Sequence, residues 1–285
     1  MVAFPKDSKL ARSMLDSAAA RDSFPGLPRP RQRALIAIAP DERRFRAWAG
    51  SGTPEWGAAV AIPSQQRIVM QGSSAGSDAG DPMQVLRHEL AHLALHEFLG
   101  ALPPRWFDEG YASYSAGEWG RDDVLSTSTS LLLHGIPQLD SLDAQFAGTE
   151  LRAQSAYALS YRAVAELASL DRERGLTLFL RYWKEDGSME NALRQAYGIT
   201  GVAFEQRWRA QTGRRYGALA LAANVSVAFG IIGVIIVPLY LVRLRRKRRL
   251  LAAMLAADEA AERAERASAL QALLEMGSDG PDPRA

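Results

Sequence analysis

The sequence predicts an α+β protein: a small N-terminal β-sheet joined to a mostly helical domain, with one transmembrane helix behind it. Three observations carry this. Short apolar runs bounded by proline, glycine or polar turns cluster within residues 34–72, the pattern of buried strands. From residue 82 onward apolar residues recur at helical spacing. From Ala218 to Val242 no residue is charged.

Taken in order, residues 1–23 read as a short polar helix or a disordered arm, and "FPGLPRPRQ" (Phe24 to Gln32) as a Pro-rich linker. "RALIAIAP" holds a strand from Ala34 to Ala39, ended by proline. "DERRFRAWAG" predicts a helix capped by Asp41 and stopped by Gly50. "GAAVAIP" and "RIVMQG" are two more strands, separated by a turn over Pro63 to Gln66. "GSSAGSDAGDP" is a loop by composition. A helix then begins near Asp81 or Pro82 and runs to Gly100, because Asp caps well and proline suits the first helical position. "ALPPRW" breaks it, and "RWFDEGYASYSAGEW" starts another. Gly148 to Gly213 is mostly helical.

The resulting segments are 1–32, an arm and linker; 33–217, the main domain; 218–242, the span; and 243–285. A span needs roughly 20 apolar residues, and this run exceeds that. "RLRRKRR" (Arg243 to Arg249) follows directly, so the positive-inside rule places residues 243–285 in the cytoplasm and 1–217 outside it. "MVAFPKDSKLARSMLDSAAARDSF" has no apolar core of an export signal. The expectation is a start or a signal upstream, the alternative an anchor inserted the other way. After the basic run, residues 250–276 form an Ala/Glu/Leu-rich cytoplasmic helix whose apolar repeats could engage a partner helix, and an acidic tail follows.

The 285 residues carry a net charge of +2 and no cysteine. Near-balanced charge argues against nucleic acid as a partner. The lack of cysteine excludes disulfides, Cys-ligated zinc and thiol catalysis.

Chemistry concentrates in "VLRHELAHLALHEF", which holds three of the four histidines. His88, Glu89 and His92 form HExxH. On a helix, residues four apart share a face, so both imidazoles reach one ion. A catalytic zinc takes three protein ligands and a water, and Glu89 stands where it can take a proton from that water. His96 is a poor third ligand, since it lies ~12 Å along the axis from His88. It reads instead as a packed histidine or one that supports the ligands. Glu109 in "PPRWFDEGYASY" is better, because a Pro-Pro turn brings a second helix back beside the first. Asp108 could instead orient an imidazole, and Gly110 would let the two helices approach closely.

"HELAHLAL", "LPPRWFDEGYASY" and "AYALSYRAVAEL" together resemble the gluzincin-type zinc metallopeptidases of the peptidase MA-like group, which pair HExxH with a downstream W-F-x-E-G-x-A motif. The likeness covers about Arg33 to Tyr216. It implies Zn²⁺ as cofactor, His88, His92 and Glu109 as its ligands, and Glu89 as general base. It also implies a later-helix tyrosine that stabilises the oxyanion, with Tyr157 the candidate and Tyr161 the alternative. "RIVMQG" is a candidate edge for an extended peptide.

The expected function is therefore a membrane-anchored zinc metallopeptidase acting on a peptide or protein by zinc-activated water. The alternatives are a membrane-anchored binding or scaffold module with a structural or vestigial zinc, and an adaptor working through residues 250–276.

Overall fold

The computed structural model describes residues 1–50, 57–73, 80–118 and 136–215, and beyond these 237, 238, 240, 241, 243–247, 263 and 266. Two units divide the chain, Met1–Leu221 and Ala222–Ala285.

In the first unit, helix α1 (Ser8–Ala20) precedes strand β1 (Leu35–Ala39), helix α2 (Glu42–Ala49), and strands β2 (Ala59–Ile62) and β3 (Arg67–Gln71). Helices follow: α3 (Pro82–Leu99), α4 (Arg105–Ala116), the single turn α5 (Leu142–Gln145), α6 (Glu150–Leu170), α7 (Thr177–Asp186) and α8 (Met189–Tyr197). Residues 201–215 are also helical. A small three-stranded sheet beside a majority of helix is an α+β architecture.

The sheet order is β1-β3-β2, with β1 parallel and β2 antiparallel to β3. This corrects one expectation. The "RIVMQG" strand is the centre of the sheet, and β2 is an edge strand. β3 has neighbours on both sides, and Ile68, Val69 and Met70 are all buried, as a central strand covered on both faces requires. Alternation divides its side chains. Ile68 and Met70 join Ile36, Ile38, Met14 of α1, and Leu86 and Leu93 of α3 in one core. Val69 faces the other way, with Ala39 and Phe45 of α2. Residues 8–20 are thus a helix packed on the sheet.

α3 starts and stops as its sequence dictates. Asp81 accepts from the Met83 N–H, Pro82 opens the helix, and Gly100 ends it at φ 71°. Leu86 and Leu93 lie on the sheet while Ala91, Ala94 and Leu95 enter a larger core among α4, α6, α7 and α8. Phe107, Tyr111, Leu159, Phe179 and Trp208 fill that core. α3 is therefore buried on both flanks, so its remaining face has a fixed aim.

In the second unit the described residues, among them Val237, Tyr240 and 243–247, are helical. Most of the predicted span 218–242 and of the predicted helix 250–276 lies outside the described residues. Among the described residues no helix is long and apolar enough to cross a membrane.

Candidate metal centre

The face of α3 that is covered by neither core carries His88, Glu89 and His92. α4 runs back along α3 and presents Glu109 to it. His88 Nε2 and His92 Nε2 each lie 3.5 Å from Glu109 Oε2. Two ligands held at ~2.05 Å on a tetrahedral ion stand roughly 3.4 Å apart, so this spacing suits one ion among the three groups. The ligand atoms of His88, His92 and Glu109 all fall within 4.8 Å of one another.

The other nitrogen of each imidazole faces a carboxylate. His92 Nδ1 is 2.8 Å from Asp108 Oδ1, and Asp108 Oδ2 is 2.9 Å from His96 Nε2. His88 Nδ1 is 2.9 Å from Glu118 Oε2. Such partners fix the ring orientation and leave each Nε2 turned toward Glu109, the atom that would ligate an ion. Asp108 does not join the Glu109 cluster, and its two oxygens serve two histidines. His96, Asp108 and His92 also form a compact set, but it shares His92 with the first and its polar atoms are spent on one another.

Glu118 went unnoticed in the sequence. Gly117, at φ 72°, ends α4, and the Gly117 and Glu118 N–H groups both return to the Ser113 carbonyl. Gln84 Nε2 of α3 donates to the Gly117 carbonyl. The chain therefore turns back onto α3 just where His88 sits. Folding the sequence about the Pro103–Pro104 turn places residues near 118 opposite His88, which is the signal that could have found it.

Gly110 does permit a close approach, but to a different helix from the one expected. A Cβ there would stand 2.4 Å from the Ser160 carbonyl oxygen of α6. The tight pair is α4 with α6, and α6 carries Tyr157. The Tyr157 ring lies 6.5 Å from that of His88, centroid to centroid, and 5.0 Å from that of Phe146. Tyr161 lies one turn on, 5.9 Å from the Tyr114 ring.

These groups line a cavity of about 240 Å³, with Ala59, Val60 and Ala61 of β2 along one side and Tyr157 and Arg105 among the rest; Tyr161 is not part of its wall. The Ala58 carbonyl accepts from the Gln71 N–H. Alternation along β2 then turns the main-chain groups of Ala59 and Ala61 away from β3. Against the burial that raises the Glu89 carboxyl, Ala61 lies close enough that its backbone lowers it.

A family model described as the Peptidase MA superfamily matches residues 51–213, more than half of the chain. The chain belongs to the Peptidase MA superfamily. The match spans the edge strand β2, both helices of the His/Glu cluster and α6, and leaves α1, β1 and α2 outside it. No curated protein and no solved structure matches the chain.

Peptidase MA proteins are typically zinc-dependent, and the electrostatics of this member fit a cation. Burial pulls His88 down, but the carboxylates of Glu118 and Glu109 outweigh it and raise His88 to about 10. Burial likewise opposes, and Asp108 and Glu109 prevail, in raising His92. Burial would lift Glu109 and Asp108, yet the histidines hold Glu109 far down and Asp108 at about 2. Three partly buried carboxylates thus draw positive charge to two imidazoles, and a divalent cation at this point would supply such charge. Glu89 differs: burial raises it. A carboxylate shifted upward is suited to accept a proton and return it.

Proposed function

We propose that the chain is a membrane-anchored, zinc-dependent metallopeptidase. The observation that supports this best is the meeting of His88 Nε2 and His92 Nε2 on Glu109 Oε2, beside a buried Glu89 that takes no part in the cluster. A purely structural site has no use for such a carboxylate.

A bound zinc would be held by His88, His92 and Glu109 and would supply Lewis acidity to water and carbonyl. Glu89 accepts a proton from the attacking water at its carboxylate and gives it to the leaving amine. The Tyr157 hydroxyl is the candidate donor to the carbonyl oxygen as it gains charge. Ala59 and Ala61 offer main-chain groups along the edge strand, where an extended peptide can pair as an added strand.

For the rest of the chain, the uncharged run 218–242 followed by the basic run supports a single span with the catalytic domain outside the cytoplasm and the tail inside. Residues 250–276 are proposed as a helix for a partner. Protease added to sealed vesicles tests the orientation.

The deciding experiment compares the wild-type protein with Glu89→Gln. Both should carry about one zinc per chain, while hydrolysis of a peptide mixture falls by about 10²–10⁴-fold in the variant. Equal cleavage by both proteins, or no zinc in either, would sink the proposal. Zinc without cleavage in the wild type would favour a binding module.

A further inference from the structure

Arg105 stands in the cavity wall at odds with its own helix. It is the first residue of α4, where the macrodipole disfavours a cation. Its pairing with Glu109 four residues later is the less favourable order, since an acid followed by a base stabilises a helix better. The helix start does not need its side chain either. The carboxylate of Asp143 already accepts from the Trp106 N–H at 2.8 Å and the Arg105 N–H at 3.3 Å.

The guanidinium is nonetheless held in place. It lies over the Phe146 ring, 4.8 Å from the centroid, and that ring packs on Tyr157. Its Nε is 3.7 Å from Glu109 Oε1, too far for a hydrogen bond, and the side chain remains 43% exposed. A planar fork of donors is thus stacked on an aromatic face at the cavity wall, with no acceptor for its terminal nitrogens among the described residues. It also lies beside the groups that would hold a cation, where it opposes that cation unless an anion joins them. Local propensity broken at a cavity wall marks a functional residue.

Resting on the peptidase reading, we infer that Arg105 binds a carboxylate of the substrate close to the scissile bond, making acidic or C-terminal peptide segments the preferred class. The carboxylate comes from an acidic side chain or from the chain terminus. Arginine suits either, because it grips both oxygens at once.

The test uses the full-length chain in detergent, zinc-loaded, with its zinc content measured. The probes are succinate and succinamate, which share one carboxylate and differ in whether the far end is a second carboxylate or an amide. Calorimetry should show succinate binding at least about tenfold tighter, as a charge-assisted contact implies. Arg105→Gln should erase the preference with zinc content no lower, and Arg105→Lys should restore part of it. Zinc-loaded protein that binds both probes equally overturns the inference and leaves the peptidase reading standing. A preference that survives in Arg105→Gln also overturns it. A preference in protein that takes up no zinc keeps the anchor and overturns the peptidase reading instead. Competition against succinate then identifies the source. Displacement by N-acetyl-trialanine but not by its amide assigns the chain terminus. Displacement by an amidated tripeptide with a central glutamate assigns a side chain. Failure of both peptides removes the substrate role.

Discussion

The carbonyl oxygen of Ser160 lies 2.4 Å from where a Cβ on Gly110 would stand, and the Ser160 carbonyl carbon lies 2.6 Å away. Both atoms are backbone of α6, so nothing there can rotate aside. Gly110→Ala must push α4 off α6, and α4 carries Glu109 next door. Overpacking of this kind costs about 1–3 kcal/mol. In a unit of this size each kcal/mol lowers the melting temperature by about 2–4 °C. Thermal unfolding should therefore drop by several degrees, with weaker zinc retention against a chelator. An unchanged midpoint would show that the two helices are not locked at this contact.

Glu118 and Asp108 hold different histidines, so their loss should have the same sign and separable sources. Glu118→Gln frees His88, and Asp108→Asn loosens both His92 and His96. Removing such supporting partners typically weakens metal binding by about 10–100-fold. Chelator competition should place both variants in that range. His96→Ala, which keeps the bond from Asp108 to His92, should fall well short of it. Equal losses from all three would mean that His96 is part of the ligand set.

Tyr157 and Tyr161 sit one helical turn apart, and the cavity separates them. Tyr157→Phe removes a hydroxyl from the wall, whereas Tyr161→Phe removes one beside Tyr114. Loss of a donor to a developing oxyanion costs about 10²–10³ in kcat. Steady-state hydrolysis should fall that far for Tyr157→Phe, with KM little changed, and stay near wild type for Tyr161→Phe. The reverse ranking would hand the role to Tyr161.

What the sequence made legible was local. Asp81 with Pro82, Gly100, and Asp41 with Gly50 mark helix ends through neighbours in the chain, and α3 and α2 begin and end there. The spacing of His88, Glu89 and His92 needs only helical geometry. What escaped depends on partners far along the chain. Sheet order is one case: "RIVMQ" reads as a strand anywhere, and only the placement of β1 and β2 makes it central. Gly110 is another, because its need for space comes from Ser160, fifty residues later. Glu118 follows a glycine that ends a helix, and its aim is set by the turn rather than by any period. Arg105 carries no mark of its own in the sequence, because the ring that holds its guanidinium, Phe146, comes from a distant part of the chain.

Proton release on metal uptake follows from the charges around the two histidines. In the metal-free protein His88 is raised to about 10 from the usual 6.5, and His92 is raised too, by the carboxylates that overcome their burial. A raised folded value means that protonation of His88 stabilises the metal-free fold fully below pH 6.5, and that this support is lost as pH climbs toward 10. Ligation needs neutral imidazoles, so the ion must displace protons that the fold has retained. At pH 7.5, adding zinc to metal-free protein in weak buffer should release at least one proton per ion bound. The apparent affinity should then rise at least about tenfold per pH unit between 6.5 and 8.5. The melting temperature of the metal-free protein should fall from pH 6.5 toward 10, and the zinc-loaded protein should lose less over the same interval. A pH-stat titration reads the proton count directly. Zinc taken up with no proton released would mean that His88 and His92 are already neutral, and that Glu118 and Asp108 orient the rings without charging them.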